Sequence, residues 1–167
     1  MNEKRLVNLE QTLRREMPIC TAMEIAVLSW DCPINKESSI RGGSRLSKRG
    51  QLAMSMPLTP NRNHQDSAFA GSLNALCTIV GWGTLFMLLE QQNLFGNIVI
   101  RRSNIRYRRP VRTSQVVAQG LPLLAEEVDY FYELLQSKGK SKLNVDVEIA
   151  DAQGPLVTFQ GSYVVQK

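Results

Sequence analysis

Residues Ala68–Leu89 read AFAGSLNALCTIVGWGTLFMLL, a run with no charged side chain inside an otherwise polar and basic chain. A segment of that length and character is either a membrane span or a helix enclosed on nearly all sides by its own protein. Its composition favours the enclosed helix. Ser72, Asn74, Thr78 and Thr84 scatter polar groups along it, with Gly71, Gly81 and Gly83 between them. Asp66 and Glu90 bracket it, and no cluster of Lys or Arg at either end would fix an orientation across a bilayer. Strand-like alternation precedes and follows it, which a single anchor does not need. Gly71 and Ala75 are expected to remove bulk, so that a sheet can approach the helix backbone. A central helix is therefore expected, with no membrane span.

The 167 residues suffice for one domain, expected over 1–167, and the 43% apolar fraction suits a packed core. Cys20, Cys32 and Cys77 are odd in number and lack CxxC spacing. They read as reduced thiols in a cytoplasmic protein, neither a disulfide frame nor a zinc site. His64 is the sole histidine, so no metal centre is expected. The first residues, MNEKRLVNLE, are polar and amphipathic and do not read as a secretory signal.

The net charge of +5 concentrates in Lys36–Arg49 and in RRSNIRYRRPVR, Arg101–Arg112. Such runs are either solvated surface or phosphate-binding surface. No recognition helix or aromatic RNA-binding signature accompanies them, so a phosphate-bearing small molecule fits better than nucleic acid.

Working outward, residues 2–17 predict a helix with Leu6, Leu9 and Leu13 on one face, stopped by Pro18. Residues 23–30 predict a strand. Residues 31–49, rich in Pro, Ser, Gly and charge, predict a mobile loop. Residues 51–58 predict a strand with Leu52, Met54, Met56 and Leu58 on one face. The central helix runs to about residue 93. Strands are expected over 97–109 and 114–124. Residues 126–137 suit a helix through Val128, Phe131, Leu134 and Leu135, yet Asp129–Tyr132 also suits a strand, and periodicity leaves both open. Leu143, Val145, Val147 and Ile149 alternate with polar residues, as do Val157, Phe159, Gly161, Tyr163 and Val165, across the turn Asp151-Ala152-Gln153-Gly154. One long helix among antiparallel strands gives an α+β fold with a curved sheet around the helix.

This order resembles the hot-dog fold, a curved antiparallel sheet around one long helix. The match is similar to the putative-thioesterase family whose domain also occurs fused behind an acetyltransferase domain. It is carried by MPLTPNRNHQDSAFAGSLNALCTIVGWG at Met56–Gly83 and by IRYRRPV at Ile105–Val111. The resemblance covers roughly residues 18–167. It implies hydrolysis of acyl-CoA or acyl-carrier-protein thioesters by a homodimer or dimer of dimers, with the site at the subunit interface. No cofactor is implied beyond CoA as part of the substrate. A non-catalytic acyl-CoA or acyl-carrier binding module of the same fold is the alternative.

The first turn of the long helix, Phe69, Ala70, Gly71 and Ser72, would present unpartnered N–H groups and a partial positive charge to a thioester carbonyl. Gly71 would let the substrate approach the backbone; equally, it would serve only close packing. Asn63 falls where the resemblance puts a residue that orients water or touches the thioester; its other reading is a turn-stabilising Asn. His64 is a candidate general base or a bystander. Asp66 is a candidate base, or a carboxylate favoured by the helix dipole; related motifs often carry Gly there. Many hot-dog thioesterases place Asp or Glu two turns into the helix. Here Thr78 stands at that point, able to hold a water or to bond back to the preceding turn. Cys77 reads as a small buried hydrophobe. Alternation puts Arg102, Arg106 and Arg108 on one strand face with Asn104, and Arg101 and Arg109 on the other with Ile105 and Tyr107. Some of Arg101, Arg102, Arg108, Arg109 and Arg112 are expected to meet the CoA phosphates at the channel mouth.

Overall fold

A computed structural model describes residues 2–31 and 51–167. The predicted loop over 31–49 falls, apart from Asp31, outside the described residues. Six strands form one antiparallel sheet: β1 (Ala26–Asp31), β2 (Gln51–Pro57), β3 (Asn97–Tyr107), β4 (Gln115–Gly120), β5 (Lys140–Asp151) and β6 (Gly154–Gln166). Their order across the sheet is β1-β2-β4-β5-β6-β3. Among the described residues four α-helices accompany them: α1 (Asn2–Glu16), α2 (Pro18–Ala22), α3 (Ala70–Gln91) and α4 (Ala125–Lys138). This is the hot-dog arrangement, with α3 packed against strands β2 to β6. The helix is long and apolar enough to cross a membrane, yet 67% of its most apolar window is buried inside the fold, and it is the core helix.

Two glycines let the sheet come this close. Tyr163 of β6, fully buried, crosses α3 at Gly81 and donates its hydroxyl to the Thr78 carbonyl at 2.8 Å. A Cβ at Gly81 would overlap that ring, and one at Gly83 would lie 2.7 Å from Leu52 and 2.8 Å from Met54. The expected contributors, Gly71 and Ala75, lie instead on the more open side of the helix. The close approach is made in the middle of α3, where the curved sheet lies deepest against it.

The N-terminal strand starts later than expected, at Ala26. Pro18 ends α1 but opens α2 as its first residue, since its missing N–H costs nothing there. Glu24, at φ 55°, then turns the chain into β1. Residues 126–137, ambiguous by periodicity, lie in the helix α4. Glu126 and Glu127 in its first turn and Lys138 in its last complement its dipole, and Gly139 at φ 68° closes it. Val128, Phe131 and Leu135 bury one face, and the Tyr132 hydroxyl donates to the Leu88 carbonyl of α3 at 2.9 Å.

The C-terminal hairpin pairs as its alternation implied, with Asp151 opposite Gly154 and the inward row on β5 and β6 buried. β3 is different. Among the described residues it pairs with β6 on one side only, stands at the sheet edge and is mostly exposed. Its ladder shifts between Ile100 and Arg102, so strict alternation fails at Arg101.

Candidate active site

The segment between β2 and α3 determines what lies in front of the helix. Its anchor is Asn61, 2% exposed, whose amide donates to the Met23 carbonyl at 2.9 Å and the Pro57 carbonyl at 2.8 Å. Its own carbonyl accepts the Phe69 N–H at 2.7 Å. Between these points the chain closes a tight turn. The Asn63 side-chain oxygen accepts the N–H of Gln65 at 2.8 Å and of Ser67 at 3.3 Å, while the Asn63 N–H donates to the Ser67 carbonyl at 2.8 Å. Asp66 takes φ 56°, a conformation that glycine adopts without strain.

The turn is held from behind by the chain that follows β3. Ala68 donates its N–H to the Val111 carbonyl at 2.8 Å, and Arg112 donates to the Gln65 carbonyl at 3.1 Å. The Tyr107 hydroxyl donates to the Ala70 carbonyl at 3.1 Å. The two stretches that carried the resemblance, Met56–Gly83 and Ile105–Val111, are thus neighbours in space.

The helix begins at Ala70, with Phe69 as a cap that offers no side-chain hydrogen bond. The first intrahelical bond runs from the Leu73 N–H to the Phe69 carbonyl at 3.0 Å. Among the described residues, the N–H groups of Ala70, Gly71 and Ser72 therefore have no acceptor. Gly71 and Ala70 are exposed. The ring of Phe69, 54% exposed, occupies the space that a Gly71 side chain would fill. From Gly71 a half-exposed face continues along α3 through Asn74, Ala75, Thr78, Trp82 and Phe86, with the last two rings stacked at 5.4 Å. Cys77 lies on the other side, and burial pushes its thiol up to about 12, so it is no nucleophile at neutral pH.

The sequence candidates separate accordingly. Phe69, Ala70, Gly71 and Ser72 form the open end of the helix. Asn63 stands beside it, with its carboxamide oxygen taken up by the turn. Asp66 is exposed and paired with Arg62 at 3.1 Å, outside the first helical turn. His64 is exposed at the loop tip. Thr78 is two turns in, and its hydroxyl makes no hydrogen bond among the described residues. Of the five arginines, only Arg112 bonds to this loop. Arg102 and Arg108 line polar grooves with Asn104, Asp146 and Gln160, on the sheet face opposite α3. Arg101 lines another hollow with Val99, Lys140 and Val164, because the ladder shift removes it from the face shared with Ile105. Arg109 clamps the β5–β6 turn, with two bonds to Asp151 at 2.7 and 3.1 Å and further bonds to Gln153 and Gly154. Among the described residues no group of three metal-ligating side chains comes together.

Sequence reasoning missed Asn61, which looks like an ordinary turn residue after Pro60, and the contact of Tyr107 with the helix start. The aromatic residue two places before Arg109-Pro110 was the available signal for Tyr107.

The family model described as putative thioesterase, the yiiD C-terminal domain, matches residues 6–167. The crystal structure of the putative thioesterase from Shewanella oneidensis is similar at 27% identity and TM-score 0.75, over 99% of each chain. A protein of unknown function from Chlorobaculum tepidum TLS shares the fold at TM-score 0.84 and 24% identity, over 99% of this chain and 96% of that one. The E. coli PaaI protein of the phenylacetic acid degradation operon shares it at TM-score 0.62 and 14% identity, over 100% and 96%.

Proposed function

Since the chain belongs to the putative-thioesterase family of the yiiD C-terminal domain, we propose that it hydrolyses acyl thioesters, with acyl-CoA or an acyl carrier protein as substrate, in the cytoplasm. The observation that carries this reading is the exposed first turn of α3, with three backbone N–H groups that find no acceptor among the described residues. A thioester carbonyl seated there would have its developing oxyanion stabilised by donors already in place. Asn63 shapes the turn that keeps the approach open. The half-exposed face from Ala75 to Phe86 would receive the acyl group.

The site would be completed by a second copy of the chain. β3 offers eleven residues of edge with no strand partner on one side among the described residues, and Val99 and Ile100 are exposed at 57% and 38%. An edge of that length is a template for pairing, and a two-fold axis there would continue the sheet into a homodimer. Two such dimers would give the larger assembly. Arg112, beside the loop, is the arginine best placed for a phosphate of CoA.

Assay of the purified protein against acyl-CoAs from short to long chain tests the reading, with turnover of at least one chain length expected. Arg112→Ala is expected to raise KM for acyl-CoA far more than for an acyl thioester lacking the nucleotide. The absence of any acidic residue from Ala68 to Leu89 favours the binding-module alternative. Tight acyl-CoA binding without turnover at any chain length would establish that alternative instead.

A further inference from the structure

Among the described residues, three tyrosine hydroxyls donate to main-chain carbonyls of α3. Tyr107 of β3 reaches Ala70 at 3.1 Å, Tyr163 of β6 reaches Thr78 at 2.8 Å, and Tyr132 of α4 reaches Leu88 at 2.9 Å. The bonds are alike, but the peptides they fall on are not. A carbonyl and the N–H of the next residue belong to one planar, resonance-coupled unit. Tyr163 and Tyr132 therefore act on the peptides that carry the N–H groups of Ile79 and Leu89, both far enough into the helix to donate four residues back. Tyr107 acts on the peptide that carries the Gly71 N–H. That group lies in the first turn and has no acceptor among the described residues.

Both partners of the Tyr107 bond are held in place. Tyr107 ends β3 opposite Val157 of β6, and the next residue, Arg108, donates its N–H to the Leu156 carbonyl at 2.8 Å. One residue further, Arg109 grips Asp151 and Gln153 in the β5–β6 turn. The Ala70 carbonyl has two lone pairs: helical geometry gives one to the N–H of residue 74, and Tyr107 takes up the second. Partial burial raises the Tyr107 phenol above its ordinary 10, so the hydroxyl keeps its proton and stays a donor at neutral pH.

We propose that Tyr107 is a positioning residue for the thioester hydrolysis inferred above, acting on the oxyanion through the Ala70–Gly71 peptide. The proposal rests on that reading. A hydrogen bond to the carbonyl draws electron density along the peptide and leaves the N–H at its other end more positive, as linked bonds strengthen one another. It also fixes the tilt of a peptide that no helical bond through its own N–H restrains. The charge that gathers on the thioester oxygen in the tetrahedral intermediate then meets a stronger and better-aimed donor at Gly71. In this role Tyr107 touches neither substrate nor water and gives up no proton. Deleting an oxyanion donor outright costs about 100- to 1,000-fold in kcat, and linkage strengthens a bond by about 10–30%, so the hydroxyl should be worth about fourfold.

The test uses the intact protein, the acyl-CoA that the wild type turns over fastest, and Tyr107→Phe beside Tyr132→Phe. Both variants keep the ring and delete one hydroxyl bonded to an α3 carbonyl. Tyr107→Phe is expected to lower kcat about fourfold with KM within about 1.5-fold. Tyr132→Phe is expected to leave kcat within about 1.5-fold of wild type. It should lower the melting temperature at least as far as Tyr107→Phe does, since its bond is the better shielded from water. The Gly71 amide supplies the readout that a merely structural role would not move. Its nitrogen resonance should shift upfield in Tyr107→Phe, more than those of Ala70 and Ser72, and stay in place in Tyr132→Phe. Tyr107→Phe turning over within about 1.5-fold of wild type would overturn the proposal and leave the thioesterase reading standing. So would a fall in kcat without the Gly71 shift, or an equal fall in both variants. A fall in kcat that comes with a loss of assembled mass would overturn it too, by assigning Tyr107 to contact between copies. Wild-type protein without turnover of any thioester would overturn both readings.

Discussion

Gly81 and Gly71 stand ten residues apart on one helix, and the surroundings give them opposite tasks. Gly81 is buried, with the Tyr163 ring lying where its side chain would be. Gly71 is exposed, and the ring of its own cap residue, Phe69, lies over it. In the middle of α3, loss of the side chain brings the sheet onto the backbone and sets the depth of the core. At the front it leaves the peptide N–H groups accessible. The residue type therefore carries no function by itself; what stands across from it does.

Substitutions at these glycines can break that distinction. Gly81→Ala should be the most damaging, at about 3 kcal/mol in chemical denaturation, because Tyr163 is rigid, fully buried and bonded to Thr78. Gly83→Ala should cost about 1 kcal/mol, since the atoms it meets are the ends of Leu52 and Met54, and alanine returns helix propensity. Equal losses at the two positions would show that the Tyr163 crossing does not set the packing. Gly71→Ala should change stability by less than about 0.5 kcal/mol, because Phe69 can swing away into solvent and propensity offsets the crowding. The same variant should lower kcat about tenfold on the proposed reading, as the added methyl crowds the amides.

Two further measurements probe groups away from the helix start, one buried and one exposed. Cys77, with its thiol pushed up to about 12 by burial, should resist alkylation at pH 8 in the folded protein and react only once unfolded. The smallest effect is expected at Asp151, whose carboxyl is held below its ordinary 3.8, foremost by its bonds to Arg109. A lowered folded value favours folding above the unfolded value, and that contribution fades as pH falls through the folded one. The melting-temperature gap between wild type and Asp151→Asn should therefore hold at neutral pH and shrink below about pH 4. A gap independent of pH would assign the contact to shape rather than charge.

The same contrast explains what could be read from the chain before its structure. The alternating strands declared themselves: Leu52, Met54 and Met56 on β2, which is buried on both faces, and the alternating rows of β5 and β6 are all buried. The charge-free run of α3 was equally plain, because a helix buried along most of its length carries no charged face to disguise it. Residues 126–137 stayed ambiguous because Tyr130 and Tyr132 alternate as readily as they wind, and only the caps and the contact with Leu88 decide for helix. The arginine run was legible as charge but not as address. One shifted rung after Ile100 moved Arg101, and Arg109 found its partner forty-two residues further along, at Asp151. Near the helix start, Asn63, Gly71 and Thr78 could be picked out by position. The bond from Tyr107 to Ala70 could not, since sequence shows which groups are polar and not which of them meet after folding.

The sheet order also bears on how the chain assembles. β6 is the last strand in sequence, yet it lies between β5 and β3. β3 has no neighbour until β6 arrives, some fifty residues later, and α3 stays incompletely roofed for as long. During synthesis the greasiest segment of the protein is thus made well before its cover. Its escape from chaperones, or from a wayward insertion into lipid, waits on the last hairpin closing.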